Sequence, residues 1–412
     1  MGCKYYFYSG AYQPMLKRDL NIDQLFSIYL EPKLIVETIE YKRSHPEYTG
    51  RIMVDSGAFS FYQQAKKKGI ELSKEEMDKF VDEYLEFLNE WGEELFCFVA
   101  VDTVPNPDDV DQSFAQKTWD NYLYMWEKLK PSIRHKLIPV FHYGEDFKWL
   151  KNFLEHRHSD GSQVDYIGLA ISLEGTKKIR INWGQECMRI IKESSNPNVK
   201  THAFGVGVKS VLDHIDVTST DATSWVKRAA YGMISINDKT VYISDIQKNS
   251  MKGNHYTAKS TSYQDVVEQT ILERGFIVDP YDVEYVINNG VASFNVDGST
   301  FSVSKKDDLS LSVEVTTDNN VETKVFELTD MSESEIEFGD DIFAGIWKYG
   351  DGCYSQQLTF DGKGTVLYDN GKALATNCYA RARFNILDTE MWMAEQRHKN
   401  AKVAPKSKNL GW

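Results

Sequence analysis

Cysteine is scarce and scattered in this chain. Cys3, Cys97, Cys187, Cys353 and Cys378 are odd in number and far apart, which argues against a disulfide framework and against a Cys-x-Cys-x-x-Cys metal knuckle. Long hydrophobic runs are missing too: no stretch reaches the roughly 18 apolar residues a membrane-spanning helix needs. The opening MGCKYYFYSG has no apolar core of a signal peptide. Those absences predict a soluble, intracellular protein. MGCK resembles the start of a myristoylation signal, but Tyr6 stands where that signal requires Ser or Thr. No Gly-x-Gly-x-x-Gly turn follows the first candidate strand and no Walker loop occurs, so dinucleotide and triphosphate chemistry have no anchor here.

Positive charge is also in short supply. Lys and Arg number 47 against 61 Asp and Glu, a net charge of −14 over 412 residues, and such a chain is repelled by nucleic acid unless its charge is unevenly placed. It is unevenly placed. Residues 307–351 hold 13 acidic and 2 basic side chains (Lys324 and Lys348), leaving 48 acidic and 45 basic elsewhere. The bulk of the chain is therefore close to neutral. With 42% apolar and 13% aromatic residues it can bury one large core and a smaller one, which excludes a disordered tail protein.

The acidic stretch sits in a region of its own rhythm. VASFNVDG, STFSVSK, LSLSVEV and ETKVFEL alternate with period two and are punctuated by Asp-Gly and Asp-Asn-Asn, the pattern of antiparallel strands and hairpins. Turn signals Asp-Gly-Lys-Gly and Asp-Asn-Gly follow. Residues 290–376 read as a small acidic β-rich module inserted before a last helix, between a main domain over 1–289 and a final helix with basic tail over 377–412.

The first 250 residues alternate differently. Short apolar runs at 4–10, 51–57, 95–102, 136–144, 165–172, 200–207, 215–221 and 240–244 make eight candidate strands. Between most of them lie amphipathic stretches, such as 73–91, 112–130 and 182–195, with apolar residues three and four apart. Strands alternating with helices pair in parallel through right-handed crossovers. Eight of them most simply close into a (β/α)8 TIM barrel of the α/β class, with an open doubly wound sheet as the second choice. In such a barrel the chemistry stands at the C-terminal ends of the strands. Asp55, Asp102, His142 and Asp221 end strands here, and Gly168-Leu169-Ala170 and Gly205-Val206-Gly207 end two others. Glycine there lets a flat ligand lie against backbone groups.

These residues resemble a known family. Val54-Asp55-Ser56-Gly57-Ala58-Phe59, Gly168-Leu169-Ala170, His202-Ala203-Phe204-Gly205-Val206-Gly207 and Thr220-Asp221 followed by Lys227-Arg228 occur in the order and spacing of the tRNA-guanine transglycosylase superfamily. The likeness is to its DNA-modifying, DpdA-type branch, often phage-borne, which exchanges guanine in DNA for a 7-deazaguanine. It covers about residues 1–250 and the helix near Arg381-Ala382-Arg383-Phe384-Asn385. The resemblance implies Asp221 as the nucleophile at the sugar C1′ and Asp55 as general acid/base. It implies that Phe59 stacks on the base, while Asp102, His142 and the backbone at Gly168 and Leu169 read its edge; at His142 the family more often has Gln. It further implies a cytoplasmic enzyme, in the host cell where the gene is phage-borne, and admits a homodimer.

Physical logic supports the pair of carboxylates independently. Breaking an N-glycosidic bond develops oxocarbenium character, which one carboxylate stabilises and traps while a second manages protons. The tRNA enzymes carry a Cys-x-Cys-x-x-Cys zinc hairpin, whereas residues 245–282 contain no cysteine here; the expectation is an enzyme with neither zinc nor another cofactor. A base inside a duplex must be flipped out or met single-stranded, and phosphates must be held by positive charge. Lys66, Lys67 and Lys68, then Lys177, Lys178 and Arg180, then Lys227 and Arg228 follow the strands that bear the candidate site. The missing zinc hairpin and the acidic module favour DNA over tRNA. Retention of both Asp55 and Asp221 speaks against a non-catalytic binding subunit, and a sugar hydrolase leaves the glycine and stacking elements unexplained.

Overall fold

A computed structural model describes residues 3–10, 20–69, 73–103, 113–171, 175–248, 253–307, 310–318, 320–328, 345–348 and 357–403. The chain divides into two compact units, Met1–Ser224 with Glu390–Trp412, and Trp225–Thr389.

The first unit is built on nine strands: β1 Tyr5–Ser9, β2 Gln24–Ser27, β3 Ile52–Asp55, β4 Cys97–Val99, β5 Leu137–Ile138, β6 Val140–His142, β7 Tyr166–Ala170, β8 Lys200–Phe204 and β9 Ser219–Ala222. Every pairing among them is parallel, in the order β5-β4-β3-β2-β1-β9-β8-β7-β6. The strands at the two ends of that order are separated in the chain only by Pro139. Proline has no N–H to give a ladder, but the carbonyls on either side of the break still pair. Ile138 O accepts from Ala100 N at 2.9 Å and Pro139 O accepts from Gly168 N at 2.8 Å. The sheet therefore comes nearly full circle, an α/β fold of barrel-like form with helices between its strands.

Period-two alternation gives each strand an inner and an outer face. Phe7, Met53, Val99, Val140 and Tyr166 share one apolar cluster, while Phe26, Val54, Phe98, Phe141 and Leu169 pack with the helices in another. The helix Lys74–Trp91 shows why: Val81, Tyr84, Leu85 and Leu88 are buried at three- and four-residue spacing, and Ser73 with Glu76 closes a capping box at its start. No helix among the described residues is long and apolar enough to cross a membrane.

Two strand assignments change. The run at 240–244 is not part of the parallel sheet. It overlaps β11 Lys239–Tyr242, which forms an antiparallel hairpin with β10 Met233–Ile236 in the second unit. Asn237 and Asp238 both adopt positive φ between these strands, the geometry that a two-residue hairpin turn demands. The parallel sheet instead gains β2, which has only two apolar residues, Leu25 and Phe26.

The second unit carries a sheet of nine antiparallel strands: β12 Tyr281–Glu284, β13 Val286–Asn288, β14 Val291–Val296, β15 Ser299–Asp307, β16 Ser310–Thr317, β17 Asn320–Leu328, β18 Gly345–Lys348, β19 Gln357–Phe360 and β20 Thr365–Asp369. Its end strands, β12 and β13, are also neighbours in the chain, divided only by Tyr285. Asn289-Gly290 and Asp297-Gly298 turn two of the hairpins with positive φ at both positions. Phe294, Phe301, Val303, Val313 and Tyr368 form its apolar centre. Within the acidic stretch 307–351, residues 308–309, 319, 329–344 and 349–351 lie outside the described residues. The last helix runs Cys378–Val403. In the second unit, Arg381 donates to the carbonyls of Ala229 and Leu374 at 2.9 and 2.7 Å, and Asn385 Nδ2 donates to that of Trp225 at 3.0 Å.

Candidate active site at the strand ends

Asp55 is the last residue of β3 and Asp221 lies near the end of β9. Both follow the inward set by alternation, two residues after Met53 and Ser219 respectively. Gly57 N donates to Asp55 Oδ2 at 3.0 Å. Burial pushes the Asp55 carboxyl up to about 7, with the charges of Asp102 and Asp221 adding to the rise and the amides of Gly57 and Ser56 opposing it. A carboxyl that titrates near neutrality can give and take a proton in one cycle.

Asp221 is buried and held by three donors. Gly205 N donates to Oδ1 at 2.8 Å, His202 Nε2 lies 3.3 Å from the same oxygen, and Ser9 Oγ donates to Oδ2 at 3.1 Å. Gly205 reaches that position with φ of 67°, a conformation glycine adopts without steric cost.

Asp102 follows β4 by three residues. Its Oδ2 is 2.8 Å from His142 Nε2, and the other ring nitrogen, Nδ1, is 3.0 Å from Glu145 Oε1. Glu145 Oε2 also accepts from the His142 backbone N–H at 2.9 Å. Burial alone lowers the affinity of the imidazole for its second proton, but hydrogen bonds to Asp102 and Glu145 outweigh it and push His142 up to about 9. His142 is thus an imidazolium wedged between two carboxylates, with both ring nitrogens engaged. Its contribution is to orient Asp102, not to offer a free edge to a ligand.

A raised histidine pKa makes this cluster a stabilising element at low and neutral pH. Its contribution is complete below the ordinary value of 6.5 and is lost as pH rises through about 9. His142→Gln is expected to cost about 3–5 kcal/mol at pH 6, since it leaves buried Glu145 and half-buried Asp102 without the cation they share. Urea unfolding at pH 6 and pH 9.5 checks this, the gap to wild type narrowing at the higher pH.

The remaining expected base contacts divide. Phe59 is 55% exposed on the helix Ala58–Lys67 and open to stacking. Leu169 is fully buried among the helix-facing core, so only its backbone is turned to other uses. At Gly168 a Cβ would lie 2.3 Å from Phe204 Cε2; the missing side chain makes room for that ring. Trp183 and Trp225 are both core residues.

Of the basic clusters, Lys67 and Lys68 are exposed after the Asp55 loop, and the side chain of Lys66 lies outside the described residues. Lys177 and Lys178 are exposed in the first turn of the helix Lys177–Glu193, with Arg180 half-buried. Thr176 caps that helix by accepting from Ile179 N at 3.3 Å. Lys227 is exposed and Arg228 half-buried on the helix Ser224–Ala230, and both belong to the second unit. Residues 404–412 of the basic tail lie outside the described residues.

Among the described residues, no group of three or more His, Cys, Asp or Glu side chains is placed to hold a metal ion. Cys3, Cys97 and Cys187 are buried free thiols, and burial pushes Cys3 up to about 12 and the other two higher. Cys353 lies outside the described residues.

Five residues of this site were not assigned roles from sequence: Ser9, Tyr166, His202, Ser219 and Glu145. Two carried a spacing signal, Glu145 three residues after His142 and Ser219 two residues before Asp221 on the same strand face. No family model matches the chain, and no curated protein matches it.

Proposed function

We propose that this chain is a guanine transglycosylase acting on DNA, a pentosyltransferase that exchanges guanine for a 7-deazaguanine base. The observation that carries the reading is the pair of carboxylates at the strand ends, Asp221 held by three donors among the described residues and Asp55 pushed up to about 7 by burial and then by the charges of Asp102 and Asp221. The fold supports it. Counting Leu137–His142 as one strand broken at Pro139 makes eight parallel strands, so we read the first unit as a (β/α)8 barrel whose site is at the C-terminal face. We read the antiparallel strands between 290 and 376 as a module inserted before the last helix.

In this mechanism Asp221 attacks C1′ of the target nucleotide. The C1′–N9 bond breaks with its electron pair going to the purine, and Asp55 in its acid form supplies the proton that guanine needs to leave. The product is an ester between Asp221 and the deoxyribose, as in retaining glycosidases. Asp55, now ionised, takes the N9 proton of the incoming 7-deazaguanine. The nitrogen attacks C1′, the ester bond breaks, and both carboxylates return to their starting states. Phe59 stacks on the base, while Asp102, fixed by His142, and the backbone at Gly168 and Leu169 face its hydrogen-bonding edge. Lys66, Lys67, Lys177, Lys178 and Arg180 serve the phosphates, those of the helix Lys177–Glu193 assisted by the positive end of its dipole; Lys227 and Arg228, in the second unit, are candidates for the same role from the sequence resemblance alone. The step needs no redox cofactor or nucleotide triphosphate.

Incorporation of radiolabelled guanine into DNA and, separately, into tRNA tests the reading. Label is expected in DNA, and exchange should weaken steeply with salt because phosphate contacts release counterions. Label in tRNA alone makes this the RNA-directed enzyme, and label in neither polymer overturns the assignment.

A further inference from the structure

Behind Asp221 the inner face of the parallel sheet is polar where apolar residues would be expected. Tyr166 OH lies 2.5 Å from Ser219 Oγ, Ser219 Oγ lies 2.6 Å from His202 Nδ1, and His202 Nε2 lies 3.3 Å from Asp221 Oδ1. The residues stand on the adjacent strands β7, β8 and β9, and Tyr166, Ser219 and His202 are all buried. The Phe204 ring packs edge-on against the imidazole at 4.4 Å and Phe7 at 6.1 Å. Burying three polar groups in a row is unfavourable unless each is satisfied.

Proton counting fixes the direction of the chain. An ionised carboxylate only accepts, so His202 donates through Nε2–H. A neutral ring then accepts at Nδ1 from the Ser219 hydroxyl, whose oxygen accepts in turn from Tyr166 O–H. Every proton has an acceptor. An imidazolium would donate at Nδ1 as well and strand one hydroxyl proton between Ser219 and Tyr166. Asp221 Oδ1 is thereby tied by His202 and by Gly205 N–H, while among the described residues Oδ2 accepts one hydrogen bond, from Ser9.

We propose that Tyr166, Ser219 and His202 form a positioning relay that holds Asp221 through Oδ1 and leaves Oδ2 as the oxygen that bonds to the sugar. The relay transfers no proton. Oδ2 forms the bond to C1′ with its own lone pair, the C1′–N9 pair departs with guanine, and Oδ1 becomes the ester carbonyl, still accepting from His202 and Gly205. The identity of the electrophile rests on the transglycosylase reading, whereas the relay itself does not.

Two measurements test it. In protein labelled with nitrogen-15 histidine, the His202 resonances, assigned by their loss in His202→Gln, are expected to report a neutral ring protonated at Nε2 at pH 7, with the Nδ1 resonance shifting in Ser219→Ala as that nitrogen loses its hydrogen bond while Nε2 stays protonated on Asp221. An imidazolium or an Nδ1–H tautomer in the wild type overturns the relay. In base exchange, Ser219→Ala and Tyr166→Phe are expected to lower kcat about 10-fold with KM little changed. The double variant should be no slower than Ser219→Ala alone, because the first cut already severs the chain. His202→Leu should lose about 100-fold, and His202→Gln, whose amide can still donate toward Oδ1, should recover most of that. Additive losses, or equal losses in His202→Leu and His202→Gln, contradict the relay. If wild-type protein exchanges no base at all, the functional reading fails while the tautomer measurement still decides the relay.

Discussion

Asp221→Ala is expected to reduce base exchange by at least about 10⁴-fold, with the loss falling on kcat. In the proposed mechanism this variant loses the atom that bonds to the sugar, so nothing downstream can substitute for it. Asp221→Asn should fail almost as completely, because the amide keeps the shape of the side chain but not its negative oxygen. The two variants differ in packing: Asn still accepts from Gly205 at the Oδ1 position, while Ala leaves the Gly205 N–H and the His202 ring facing a buried gap. Asp221→Ala should therefore unfold at lower denaturant than Asp221→Asn, by about 1–3 kcal/mol for donors left unpaired. Quench-flow kinetics and urea unfolding of the same preparations check both parts.

The second large effect is at Asp55 and is read from pH. With its carboxyl pushed up to about 7, guanine release, which needs the acid form, should slow tenfold per pH unit above that point. Attack of the incoming base, which needs the carboxylate, should slow in the same proportion below it. Single-turnover release and chase of a preformed adduct separate the two limbs, and their product is a bell centred near neutrality. Asp55→Asn should lower exchange by about 10²–10⁴-fold. The same residue carries a stability signature of opposite sign to its activity. A folded pKa raised above the ordinary 3.8 means that its contribution is complete below about 3.8 and is lost as pH rises through about 7. Asp55→Asn is therefore expected to match wild type at pH 4 and to exceed it at pH 8 by on the order of 1–3 kcal/mol, a trade of stability for activity. Thermal unfolding across that range is the check.

How much of this was legible beforehand follows from the physics of each element. Strands β1, β3, β4 and β7 announce themselves because both their faces are covered, which forces near-continuous apolar runs, whereas β8 and β9 carry Thr201, His202, Ser219, Thr220 and Asp221 in buried positions and are marked only by the apolar residues that flank them. Strand β2 does not, because its first residue, Gln24, is buried with its amide donating to Tyr48 OH at 2.6 Å; a polar side chain in a core looks like a loop residue in one dimension. The run TVYIS has the composition of a parallel strand, and only the Asn-Asp pair before it, at positive φ, marks a hairpin.

The candidate site divides in the same way. Asp55, Asp102, His142 and Asp221 stand out because a charged residue ending an apolar run is conspicuous. The residues that tune them are not. Glu145 acts through a turn beyond β6 and His202 through its neighbour strand β9, where register alone sets the contact: His202 is paired with Ser219, two residues from Asp221. Tyr166 reads as an ordinary core aromatic until its hydroxyl is placed on Ser219. The uneven acidity was visible by counting, and its concentration in 307–351 removes the objection that bulk charge raises to a DNA substrate.

The central claim is a covalent exchange through Asp221, and the most direct test is to trap it. Guanine-containing DNA incubated with the full-length protein without incoming base, denatured and digested, should give a peptide containing Ser219–Ala222 that carries a deoxyribose ester on Asp221, and Asp55→Asn should accumulate less of it. An adduct on another residue, such as Asp216, or base exchange in DNA with no adduct at any residue, would contradict the account.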